Sequence, residues 1–188
     1  MFTREFWKSS ADTFRSTRKL ACMAAMIALK VVVGSFFYIP VGENLHVSLS
    51  FLLVAVDAMI LGPVAGMVSG ALTDIIGFML VPNGPWFAGY TLTAMLGELV
   101  YALFFYRQKP DWKRCIASKV ITNYGVNVLL GSLWSAMLYS KGYIYYMTKS
   151  LIKNSIALPV QIIALFAVMR IVYPFLVKRG AIKAPEGN

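Results

Sequence analysis

Six apolar blocks follow one another along the chain, separated only by short polar breaks, at about residues 20–38, 47–61, 63–80, 89–106, 119–139 and 153–177. A helix needs ~20 residues to cross the hydrocarbon core of a bilayer, so six helices need about 120. The 188-residue chain is 59% hydrophobic, close to that requirement, so no separate soluble domain fits in what remains. Only 14% of residues are charged, against about 25% in soluble domains. The expected fold is therefore an all-α membrane protein, a compact bundle of six transmembrane helices. Residues 1–19 form a basic N-terminal segment, either a helix lying at the interface with Phe2, Phe6, Trp7 and Phe14 on one side or a frayed tail. Residues 20–177 form the bundle and 178–188 a tail. The second block is short. Pro63 suits a helix start, where its missing donor is harmless, and Pro159 predicts a kink or a late start of the sixth span.

The net charge of +10 fits the positive-inside rule better than a nucleic-acid partner. The N-terminal segment, the 107–119 loop and the C-terminal tail hold thirteen Lys and Arg residues, against Lys141, Lys149 and Lys153 on the opposite face. This asymmetry predicts a multi-pass protein with both termini in the cytoplasm. The first basic stretch runs into an apolar block of full spanning length without an A-x-A site, so it is expected to be retained rather than cleaved. Cys22 and Cys115 fall near the same, cytoplasmic face, which argues against a structural disulfide. Two thiols and the single histidine, His46, cannot assemble a zinc-type cluster, and no metal or cofactor is expected.

Helices in lipid associate by close packing, for which small residues are needed. Gly62, Gly66 and Gly70 recur every four residues and Gly77 returns to nearly the same side. Ala21 and Ala25, and Ala24 and Ala28, make two further small faces in the first span. These serve either internal packing or docking of another membrane protein.

Ionisable residues within spans are costly and mark functional candidates. They are Lys30, Asp57, Asp74, Glu98 and Arg170. Asp57 and Arg170 lie toward span ends, where snorkelling is expected. Lys30, near mid-membrane, needs a carboxylate or a wet cavity, and Asp74 or Glu98 would serve. A polar and small stripe runs through the fifth span at Asn123, Asn127, Gly131, Trp134 and Ser135, and the sixth carries Asn154, Ala157 and Gln161. Tyr90, Ala94, Glu98 and Tyr101 share a side of the fourth. These groups either bond across helices or line a ligand pocket, and three neighbouring helices with such stripes favour the pocket. Pro82-Asn83-Gly84-Pro85 followed by Trp86 and Phe87 predicts an ordered lid. The outer loops hold one acid, Glu43, against Lys141, Lys149 and Lys153, so an anionic solute is expected.

Reaction chemistry finds no support. There is no Gly-Lys dipeptide, hence no Walker A loop, and no G-x-S-G nucleophile paired with a base. An enzyme is therefore not expected, and binding or transport remains. A stand-alone secondary transporter, with Lys30 and an acid coupling protons, is the alternative of a different class, but no internal repeat supports it.

Gly62-Pro63-Val64-Ala65-Gly66, continuing through Gly70, Asp74 and Gly77 to Pro82-Asn83-Gly84-Pro85 and Gly89-Tyr90-Thr91-Leu92, resembles the substrate-binding S components of energy-coupling factor (ECF) vitamin transporters. So do Ala21-Cys22-Met23-Ala24-Ala25 and Leu158-Pro159-Val160. The Pro-x-Gly-Pro turn before Phe87-Ala88-Gly89-Tyr90 points to the folate-specific branch; another anionic vitamin such as pantothenate is the alternative. The resemblance implies capture of folate or a reduced folate from outside a bacterial cell membrane. It also implies docking on a membrane T component driven by two cytoplasmic ATPase subunits, through Ala21 and Ala25 or Ala24 and Ala28. For such a ligand, Phe87, Tyr90 and Trp134 would stack on the pterin, with Trp86 in the adjoining lid. Asp74, Asn127 and Gln161 would meet its polar edge, and Lys149 and Lys153 the glutamate carboxylates.

Overall fold

The computed structural model describes residues 4–36, 38–42, 45–82, 85–139 and 142–182. Phe2, Glu43, Asn83, Gly84, Lys141 and Lys183 lie outside the described residues. The chain is an all-α bundle: α1 (Arg4–Ala11), α2 (Thr17–Phe36), α3 (Ser50–Leu80), α4 (Ala88–Phe105), α5 (Trp112–Val120), α6 (Gly131–Leu138) and α7 (Tyr143–Lys178). A 3-10 turn, Asp12–Arg15, joins α1 to α2, and a π-helical stretch, Ile121–Leu130, joins α5 to α6. Three of these helices, α3, α4 and α7, are each long and apolar enough to cross a membrane.

The one addition to the all-helical expectation is a small antiparallel hairpin, β1 (Tyr38–Gly42) and β2 (Leu45–Ser48), with Ile39 opposite Val47. It takes the places expected to end the first span and begin the second.

The second and third spans form a single element with a break at Gly62, whose φ of 77° and ψ of −173° are not helical. Only glycine adopts such a conformation without strain. Pro63 follows at the first helical position of the second half, as its sequence context predicts. A Cβ at residue 62 would lie 2.8 Å from Tyr106 Cζ and 2.9 Å from Ser10 Cβ.

Those neighbours show what the N-terminal segment does. Phe6 and Ser10 of α1 are buried, while Arg4, Glu5 and Lys8 are exposed. Ser10 Oγ donates to Leu61 O (2.7 Å) and accepts from Val64 N (3.0 Å) and Ala65 N (3.1 Å). Phe6 stands edge-on to Tyr106, with ring centroids 5.2 Å apart. Phe6 and Ser10 of α1 therefore seal the break in α3. Phe14, by contrast, is exposed.

The main core gathers Phe6, Ala55, Met59, Tyr101, Phe105, Leu165 and Met169 from α1, α3, α4 and α7. A smaller cluster joins Met23, Ile27 and Val31 of α2 to Leu61 and Ala65. The glycine row divides its work. Gly70 lets α4 come close, since a Cβ there would meet Glu98 Cγ at 2.8 Å and Ala94 O at 2.9 Å. Gly77 has open space beside it. Pro159 lies inside α7, which begins at Tyr143 and runs through it, so the late start expected at that proline does not occur. Cys22 and Cys115 are both free thiols.

Candidate functional site

A partly open cavity of about 1270 Å³ is bounded by α2, α3, α4, the run from α5 to α6, and α7. This is at or above the upper end of the ~300–1,000 Å³ usual for small-molecule sites, room enough for an extended organic molecule. Asp74, Trp86, Phe87, Tyr90, Asn127, Lys149, Lys153 and Gln161 all line it. Trp134 stands behind the wall. Its Nε1 donates to Thr93 Oγ1 (2.9 Å), and its ring centroid is 5.5 Å from that of Phe87.

The aromatic corner is built by local packing. α4 starts directly after Phe87, whose extended backbone turns the chain into the helix. Phe87 and Tyr90 meet edge-on, 6.4 Å between centroids. Gly89 is pinned beneath them. A Cβ there would sit 2.4 Å from Phe87 Cε1 and 2.6 Å from Trp134 Cδ2. Tyr90 OH lies 3.3 Å from Ser135 Oγ, which ties the corner to α6.

The polar wall comes from the π-helical stretch. In an α-helix, residues four apart drift by ~40° per step at 3.6 residues per turn. The wider π turn, closed by i→i+5 bonds, takes up that drift. Lys119, Asn123, Asn127, Gly131 and Ser135, at spacings of four, consequently all face the cavity. Asn123 Nδ2 donates to Gln161 Oε1 (2.9 Å), so part of the amide pairing expected for a ligand is spent between helices. Asp74 Oδ2 accepts from Thr91 Oγ1 (2.7 Å). Asn154 Nδ2 donates back to Ser150 O (2.9 Å).

Beside this wall lies a buried charge cluster. Lys30 Nζ is 2.5 Å from Asp57 Oδ2, 2.5 Å from Glu98 Oε1 and 2.9 Å from Ser69 Oγ. Ser69 Oγ in turn donates to Asp57 Oδ2 (2.6 Å). Glu98 is thus a partner of Lys30, as one of the two expected acids, and Asp74 is not. Asp57 corrects the snorkelling expectation: it is fully buried, because the break at Gly62 folds the first half of α3 against the second. Arg170 is exposed.

Lys119, counted above among loop cations, is buried at 2% exposure, with Nζ 3.9 Å from the Phe51 ring centroid. Its place four residues before Asn123 was the signal that it belongs to the polar stripe. Lys149 and Lys153 stand within α7 rather than in a loop. Lys149 is exposed and Lys153 half-buried. Ala21, Ala24, Ala25 and Ala28 are all exposed on α2. Among the described residues, no group of His, Cys, Asp and Glu is arranged to hold a metal ion.

Residues 18–179 match the family described as ECF transporter, substrate-specific component. A folate transporter FolT of Clostridium novyi is 31% identical over 150 residues, covering 80% of this chain and 87% of that protein. A second, from Leuconostoc mesenteroides subsp. mesenteroides, is 31% identical over 153 residues, covering 78% and 81%. Among solved structures, FolT bound with folic acid superposes with a TM-score of 0.74 at 29% identity, covering 82% of this chain and 92% of that one.

Proposed function

The chain belongs to the substrate-specific components of ECF transporters, and within that family we propose that it captures a folate from outside the cell. It is a multi-pass membrane transporter subunit and not an enzyme. The observation that carries the folate reading is the likeness, over about four-fifths of the chain, to FolT proteins, one of them holding folic acid, joined to a cavity whose lining suits that ligand. Phe87 and Tyr90 offer ring faces for a pterin, with Trp86 beside them. Trp134 acts through Phe87, which it buttresses. Asp74, Asn127 and Gln161 offer polar atoms for the ring edge. Lys149 and Lys153, one helical turn apart, offer two cations for the two carboxylates of the glutamate.

Energy for release would come from elsewhere. A T component with two ATPase subunits would dock on the exposed Ala21, Ala24, Ala25 and Ala28 face, both termini lying in the cytoplasm. Close helix approach needs small residues, and this face has them.

The test is a titration of the purified protein in detergent, following tryptophan fluorescence, with folic acid, 5-formyl-folate, pantothenate and thiamin. Saturable tight binding of the folates alone is the expected result. Lys153→Ala should weaken it more than Lys149→Ala, because an exposed ion pair contributes only about 0.2–1 kcal/mol and a half-buried one more. Binding of pantothenate but not folates by a folded sample overturns the folate reading and leaves the family untouched.

A further inference from the structure

The cavity is lined by a buried lysine, Lys119, that pairs with no acid among the described residues. The ion pairs among the described residues are Arg15–Asp12, Lys30–Asp57 and Lys30–Glu98; Lys119 is in none of them. Its Nζ sits against the Phe51 ring. A desolvated ammonium is costly unless paired and hydrogen-bonded, and a cation–π contact recovers a fraction of that cost.

Other buried groups that line the same cavity are also unfinished. Glu98 Oε2, Asn123 Oδ1 and Ser132 Oγ are buried without a hydrogen-bond partner among the described residues. Each of these residues lines the same cavity as Lys119. Buried polar atoms in native proteins are nearly always paired. Several unpaired ones around a single cavity mark a place whose partner comes from outside the chain.

We propose that Lys119 is a ligand-binding residue, donating to the oxo group of the captured pterin while Glu98 and Asn123 accept from its amino and ring N–H groups. This rests on the folate reading and fixes the direction in which the ligand enters. The chemistry of these groups favours the pterin over the glutamate. A 2-amino-4-oxo edge presents one strong acceptor beside two donors. The cavity lining offers Lys119 as a donor and Glu98 Oε2 and Asn123 Oδ1 as unpaired acceptors. A dicarboxylate would instead meet the Glu98 carboxylate, whereas Lys149 and Lys153 on α7 provide a cationic pair for it. The pterin thus goes down and the glutamate faces the mouth.

The test compares folic acid with its 4-amino analogue, aminopterin, in which the oxo acceptor is replaced by an amino donor and the adjoining ring N–H by an acceptor nitrogen. Both are titrated into the full-length protein in detergent, wild type and the variants Lys119→Met, Lys119→Gln and Lys153→Ala. Lys119→Met should weaken folic acid by about 10- to 100-fold, the worth of a hydrogen bond to a charged group. It should leave aminopterin affinity unchanged, so the preference between the two narrows. Lys119→Gln, a neutral donor, should fall between. Lys153→Ala should weaken both ligands alike, because they share the glutamate. Retained aminopterin binding also shows that the variants are folded. Equal loss of both ligands in Lys119→Met assigns Lys119 to the shared part of the molecule and overturns the proposal. So does no loss of either. A wild type that binds neither compound removes the folate reading itself, a different failure from a wild type that binds both tightly while Lys119→Met changes nothing.

Discussion

Lys30 joins three stretches of chain through one ammonium: Asp57 in the first half of α3, Ser69 in the second half, and Glu98 in α4. Its side chain and those of both acids are essentially inaccessible to water. Breaking a buried ion pair by removing one partner costs about 3–5 kcal/mol, because the remaining charge has no water to turn to. Lys30→Ala leaves two carboxylates facing each other and should unfold the protein or lower its stability by about that amount, read from thermal unfolding in detergent. The triple variant Lys30→Met, Asp57→Asn, Glu98→Gln keeps the approximate shape and removes every charge, the two amides and Ser69 being left to bond one another, and should recover most of the loss. A Lys30→Ala protein as stable as wild type would mean that the cluster is solvated. The need of Lys30 for an acid was legible in the sequence, since a lone lysine in mid-span has few alternatives. Which acid was not legible, because Asp57 reaches it only through a fold-back at Gly62. Asp74 has the right type and depth but is turned to Thr91.

The existence of the helices was readable from long apolar runs, and their internal geometry was not. The Gly62-Pro63 pair marks the junction of two spans, yet nothing in its composition says that a serine fifty residues earlier caps the second helix. Ser10 does so. Its Oγ takes two backbone N–H groups that a helix start leaves without partners, and it gives its own proton to Leu61 O. A lost N-cap costs about 0.5–2 kcal/mol, and orphaning several buried backbone groups adds to this. Ser10→Ala should lower stability by about 1–3 kcal/mol in a thermal melt. Ligand affinity should stay near wild type, because Ser10 does not line the cavity. A melt unchanged by Ser10→Ala would show that α1 is not needed at the break. The π-helical stretch was invisible for a different reason. A stripe at spacings of four reads as an α-helical face, and the sequence does not reveal the wider turn that keeps Lys119 through Ser135 in line.

At the scale of the whole molecule, α2 has two sides with separate duties. Met23, Ile27, Lys30 and Val31 are buried against the bundle, while Ala21, Ala24, Ala25 and Ala28 are exposed. Among the described residues nothing buries the alanines, so a larger side chain there should cost little stability. A partner helix approaching closely would meet it at once, since small residues are what permit such an approach. The double variant Ala21→Leu, Ala25→Leu should therefore bind folic acid in detergent with affinity within about twofold of wild type, as expected for residues outside the cavity. In cells producing the complete transporter, the same variant should lose most uptake and should no longer co-purify with the T component. Full uptake by the double variant would move the contact off this face. Loss of binding together with uptake would place these alanines in the bundle's own packing. Loss of uptake alone separates capture from delivery. That separation is expected of a subunit whose cavity and charge cluster are complete within one chain but which has no Walker A loop of its own.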